Sequence, residues 1–142
     1  MTVAYFDSSA LVKLVVDEPG SDDAALLWDG ADAVITSRVA HAEVRAALAA
    51  AHRNGRLNEE GHHVAKTAWE AFREALRLVE VTPQVEADAG DLAERHVLSG
   101  FDAIHLASAL TLAGLPIIVA TWDVCLLRAA RSAGLDALPA QR

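Results

Sequence analysis

The chain has 142 residues, 53% of them hydrophobic and 5% aromatic, with a formal net charge of −8. A length of this order gives one domain whose core needs no covalent staple, and the aliphatic content excludes disorder. The acidic balance is the reverse of the basic footprint usual in nucleic-acid binders, and the single cysteine, Cys125, excludes an internal disulfide and fits a reducing compartment.

Thr2-Val3-Ala4-Tyr5-Phe6 opens the chain as a β-branched and aromatic run, which predicts a buried strand. Ser8 or Ser9 then caps a short helix carried by Leu11, Val12, Leu14 and Val15, and Glu18-Pro19-Gly20 breaks it. A second helix is expected over residues 22–28 and a strand over 33–36. Ser37 stands as the N-cap of a long helix over 38–53, which Asn54-Gly55 ends. Asn58 caps another, running to about residue 77, and residues 78–81 read as a strand. Thr82-Pro83 supplies the N-cap and first position of a helix to about residue 97. Ser99-Gly100 precedes an apolar helix over 101–113. Gly114-Leu115-Pro116 leads into a strand over 117–121, followed by a helix over 123–133 and a short strand near 136–138.

The strands are nearly continuous in apolar residues and alternate with helices, which predicts a parallel sheet covered on both faces. The fold class is therefore a three-layer α/β/α domain spanning residues 1–142. The uncharged stretch 103–122 is interrupted by His105, Ser108 and Gly114-Leu115-Pro116, which argues against a membrane-spanning helix. No signal-peptide pattern opens the chain, so a soluble cytoplasmic protein is expected.

In an open parallel sheet, ligands bind beyond the carboxyl ends of the strands. Asp7 follows the first strand and Asp123 follows the strand over 117–121, so each is open to two roles, helix cap or site acid. Glu43 lies off the polar face formed by Arg38, His41, Arg45 and His52 and shares a stripe with Val39, Ala46 and Ala50. A carboxylate placed there costs several kcal/mol unless it is paired, with a buried Arg for instance, or binds a metal. Asp102 shares a face with Leu106 and Ala109, while Ser99-x-x-Asp102 also has the form of a capping box. If the four acids converge, their repulsion calls for a divalent cation. An all-oxygen donor set suits Mg²⁺ or Mn²⁺, and the chemistry that follows is phosphodiester hydrolysis.

The same residues resemble the motifs of PIN-domain ribonucleases, in particular VapC-type toxins. Asp7-Ser8-Ser9-Ala10-Leu11-Val12-Lys13-Leu14 is similar to the opening motif and Ala42-Glu43-Val44 to the second acidic one. Phe101-Asp102-Ala103-Ile104-His105-Leu106-Ala107-Ser108-Ala109 resembles the third, and Thr121-Trp122-Asp123 with Gly134-Leu135 the last. The resemblance implies a five-stranded parallel sheet, an acidic metal site of Asp7, Glu43, Asp102 and Asp123, and Ser8 and Thr121 as hydroxyls that orient carboxylates or water. It further implies Mg²⁺-dependent cleavage of RNA, a homodimer, and inhibition by a cognate antitoxin.

Six acids between residues 17 and 32, without a Lys or Arg, read as a solvated face or as an attractor of basic antitoxin groups. Lys13, Arg38, Arg45, Arg128 and Arg131 are the candidate cations for RNA. His62-His63 is expected at a solvated helix start, His105 and Cys125 in the core, and Trp28, Trp69 and Trp122 as packing anchors. Two competing readings are a PIN-like binding module without catalysis and an aspartate-based phosphatase-like α/β domain. The phosphatase would want an Asp where Ser9 stands.

Overall fold

The computed structural model describes residues 1–139. Within them the strands β1 (Val3–Phe6), β2 (Ala33–Ser37), β3 (Arg77–Val79), β4 (Ile117–Ala120) and β5 (Asp136–Leu138) form one sheet. Its order is β3-β2-β1-β4-β5, and every neighbouring pair is parallel. The helices are α1 (Ser8–Val12), α2 (Ser21–Gly30), α3 (Ala40–Arg53), α4 (Glu59–Ala75), α5 (Pro83–His96), α6 (Gly100–Leu110) and α7 (Val124–Ser132).

Alternation along β1 divides the core in two. Val3 and Tyr5 face α5, α6 and α7, where they pack with Val85, Leu92, Leu106 and Leu126. Ala4 and Phe6 face α1 to α4, packing with Leu11, Val44, Leu48 and Trp69. This is the α/β/α arrangement expected from strands buried on both sides. Each fully buried Leu or Phe contributes about 1.5–3 kcal/mol through area removed from water. None of the described helices is long and apolar enough to cross a membrane.

Capping chemistry sets most helix starts. The side chains of Asn58, Thr82 and Ser99 accept hydrogen bonds from the backbone N–H groups of Gly61, Val85 and Asp102, respectively. Two expected caps are corrected. Asp7, rather than Ser8 or Ser9, caps α1, accepting from Ala10 N, and α1 ends at Val12. Ser37 is the last residue of β2, in register with Val79. Strand pairing thus takes the place of the cap, and α3 begins only at Ala40 without a side-chain cap.

Strand order reverses around β1. The chain moves outward through β2 and β3 on one side, then returns to lay β4 and β5 on the other. The crevice beyond the carboxyl ends of β1 and β4 is therefore the switch point at which such sheets bind ligands. Phe6 and Ala120 are in register at the ends of these strands. The next residues are Asp7 on one side and Thr121-Trp122-Asp123 on the other.

Candidate active site

Asp7 is 2% exposed, yet its carboxylate is fully engaged. Thr121 Oγ1 donates to Oδ2 at 2.6 Å, and Ser9 Oγ donates to Oδ1 at 2.7 Å. The N–H of Ala10 adds a third bond to Oδ1 at 3.0 Å. Of the two serines after Asp7, it is Ser9 that holds the carboxylate, and Ser8, the serine the resemblance implied, is not its partner. Ser9 Oγ also accepts from Trp122 N, and Thr121 Oγ1 accepts from Asp123 N. Two hydroxyls thus lace the β1–α1 turn to the β4–α7 turn. Burial raises the Asp7 carboxyl above its ordinary value, and the nearby His105 imidazole and the Thr121, Ser9 and Ala10 hydrogen bonds offset only part of that rise.

Asp123 caps α7, its Oδ1 accepting from Leu126 N at 2.9 Å, so its cap role is real and leaves Oδ2 for other partners. Asp102 sits in the first turn of α6, behind the Ser99 cap. Its carboxyl is also raised, chiefly by partial burial and then by the negative charges of Asp123 and Asp7. Asp102 thus lies within electrostatic reach of Asp123 and Asp7 at the switch point, although the three come from separate segments of chain.

Glu43 reaches the same region from α3. The buried face of that helix is Ala40, Val44, Leu48 and Ala51, and Ala46, expected beside Glu43 in an apolar stripe, is exposed. Glu43 lies at the margin of the buried face, its side chain 19% exposed, and its partner is a histidine rather than an Arg. His105 Nε2 lies 2.6 Å from Glu43 Oε1, and His105 Nδ1 lies 2.7 Å from the Tyr5 hydroxyl. His105 is buried, as expected of a core residue, but sequence reasoning missed that it contacts an acid of the site. The available signal was a polar side chain on the apolar face of α6, one turn after Asp102.

As the side chains stand, no three carboxylate, imidazole or thiol groups among the described residues are gathered tightly enough to hold one ion. Each of Asp7, Asp123 and Glu43 is held by at least one hydrogen bond.

Three of the five candidate cations have other employment. Lys13 bonds Glu18 and the carbonyl of Pro19 and lies over the Trp122 ring. Arg38 pairs with Glu80, and Arg131 donates to the carbonyls of Ala137 and Pro139. Arg45 and Arg128 are exposed. Cys125, expected in the core, is exposed instead, because it falls on the outer side of α7, away from Leu126, Ala129 and Ala130.

Residues 4–130 match the PIN domain family. The chain is 51% identical to Ribonuclease VapC45 of Mycobacterium tuberculosis over 141 residues, 99% of this chain and 98% of that protein. Its fold resembles FitAcB from Neisseria gonorrhoeae, with a TM-score of 0.71 at 19% identity over 96% of each chain. A toxin–antitoxin complex from Klebsiella pneumoniae is also similar, with a TM-score of 0.57 at 20% identity over 81% of this chain and 83% of that one. The family match over residues 4–130 and the 51% identity along nearly the whole sequence make the chain a member of the PIN-domain family, among the VapC ribonucleases.

Proposed function

We propose that the chain is a metal-dependent endoribonuclease, a single catalytic domain over residues 1–142 that acts in the cytoplasm as the toxin of a toxin–antitoxin pair. The observation that carries this reading is the placement of Asp7, Asp102 and Asp123 at the sheet's switch point, where burial raises the carboxyls of Asp7 and Asp102 and the charges of Asp123 and Asp7 raise Asp102 further. A divalent cation would offset the cost of ionising carboxylates in such a place. The donors are all hard oxygens, which fit Mg²⁺ or Mn²⁺, and Asp7, Glu43, Asp102 and Asp123 are the residues that would hold such an ion. Such an ion, when bound, polarises a phosphoryl oxygen and lowers the pKa of a water.

The protein's own contribution is placement. Thr121 and Ser9 fix Asp7 by donating to both of its oxygens. Asp123 and Asp102 are held by helix starts, which limits their freedom to that of two short side chains. Of the five candidate cations, Arg45 and Arg128 are exposed and left to meet RNA phosphates. The buried Asp7, which accepts three hydrogen bonds, is poorly disposed to attack phosphorus itself, which speaks against the aspartate-phosphatase reading. Homodimer formation and neutralisation by a cognate antitoxin follow from the family resemblance.

The test is cleavage of a mixed RNA pool by purified protein with Mg²⁺ or Mn²⁺, against EDTA and against Asp7→Asn. Cutting that needs the ion and disappears in the variant supports the reading. Cutting that survives both overturns it. A folded protein that neither cuts nor binds metal is the non-catalytic binding module instead.

A further inference from the structure

We infer that His105 is a positioning residue that holds Glu43 in the acidic pocket and is itself aimed by Tyr5. The inference rests on the metal-site reading above and extends it to residues outside the four acids.

Both ring nitrogens of His105 are taken by side chains from other elements, the phenol of Tyr5 on β1 and the carboxylate of Glu43 on α3. The ring is 1% exposed and Tyr5 is 0% exposed, so water does not compete for either bond. A carboxylate can only accept, so Nε2 carries a hydrogen and donates it to Glu43 Oε1. The Tyr5 hydroxyl meets Nδ1 at 2.7 Å, so both ring nitrogens are pinned and the plane of the ring is set from two elements. The Tyr5 and His105 rings meet edge to face, with centroids 5.8 Å apart and planes at 74°, which fixes the imidazole sideways as well.

The consequence falls on Glu43, whose Oε1 is committed to His105 and whose Oε2 is the oxygen left for the pocket. A Glu at the margin of a helix face, with three rotatable bonds, would otherwise sample solvent and lose entropy on being recruited. His105 lies three residues after Asp102 on α6, so one helix turn supplies one acid and grips another from α3. A histidine that merely filled the core would not need a partner from the pocket. This tyrosine–histidine–carboxylate chain has the form of the outer partners that orient metal ligands in other sites.

The experiment measures Mn²⁺ affinity from the paramagnetic resonance of the free ion, on wild type, Asp7→Asn, His105→Leu, His105→Gln and Tyr5→Phe, with folding followed by circular dichroism. His105→Leu is expected to bind Mn²⁺ about 10–100-fold more weakly, the usual effect of losing such a partner. His105→Gln, whose amide can donate from near the Nε2 position, is expected to regain most of the loss. Adding His105→Leu to Glu43→Gln should cost nothing further, because the two act through one contact. Wild-type affinity in His105→Leu, or equal losses in the Leu and Gln variants, overturns the inference. If His105→Leu does not fold, Tyr5→Phe decides: weaker Mn²⁺ binding supports the aiming role and unchanged binding refutes it. Failure of the metal-site reading shows differently, as wild type binding no Mn²⁺ or Asp7→Asn binding it undiminished, and the inference then falls with it.

Discussion

Asp7 serves as the N-cap of α1 and as the most buried acid of the site, and the two roles pull its chemistry in opposite directions. Capping and the two hydroxyl bonds favour the ionised form, whereas burial disfavours it and prevails, since the carboxyl is raised. A folded-state pKa above the unfolded one gives stability that is fully present below the unfolded value, near 3.8, and is lost as pH rises through the folded value. Asp102 is raised as well and acts with the same sign. In EDTA, thermal stability is therefore expected to fall as pH rises through the raised values of these two groups, and Asp7→Asn should flatten that fall. Calorimetry of both proteins across that range checks it, and parallel curves would refute it. Asn keeps a capping oxygen for Ala10, so the fold should survive. Cleavage should drop by more than the roughly 10–100-fold typical of losing an outer partner of a metal ligand. At this scale the acids were legible in the sequence because each broke a local pattern or followed a strand. Ser9 and His105 were harder to read. Choosing Ser9 over Ser8 depends on the rotation of one helix turn, and the link from His105 to Glu43 spans 62 residues of chain.

Between β4 and α7 the chain carries Trp122, and its seat depends on a glycine far away in sequence. Gly20, the N-cap of α2, has φ +94°, and a Cβ there would meet Trp122 Nε1 at 2.6 Å and Cε2 at 2.9 Å. Gly55 also has positive φ, +83°, but nothing lies within 4 Å of its would-be Cβ. Gly55→Ala therefore reports backbone strain alone, about 1–2 kcal/mol. Gly20→Ala adds displacement of an indole next to Asp123, for a total of about 2–4 kcal/mol. Urea unfolding of the pair should show the larger loss at Gly20, and only Gly20→Ala should weaken Mn²⁺ binding. Equal losses would mean that the indole yields freely. The glycine's turn was readable in Glu18-Pro19-Gly20, but its contact with Trp122 was not, because it is made between loops. The same distinction holds across the elements. Asn58, Thr82 and Ser99 cap as local chemistry dictates, whereas Ser37 is claimed by its pairing with Val79 on β3, a tertiary demand that no local signal carries.

For the molecule as a whole, the net charge of −8 must be reconciled with a polyanionic substrate, and the structure narrows how. Lys13, Arg38 and Arg131 are spent on Glu18, Glu80 and backbone carbonyls, so of the five candidates Arg45 and Arg128 remain to neutralise phosphates. Two contacts to single-stranded RNA give a logarithmic salt slope of about −1.4, against roughly −10 for a contact-rich DNA binder. At fixed Mg²⁺, kcat/KM is thus expected to fall only about sevenfold between 50 and 200 mM KCl, whereas six to ten phosphate contacts on the same slope would lose roughly 300- to 16,000-fold. Replacing Arg45 and Arg128 together by Ala should lower kcat/KM at low salt and leave a curve that is flat, or that rises slightly as salt screens the repulsion between an acidic protein and RNA. A steep loss that persists in the double variant would assign RNA contact to other cations. Those would be the exposed Arg53, Arg77 or Arg95, or else Lys13, Arg38 or Arg131 released from its present partner when RNA binds.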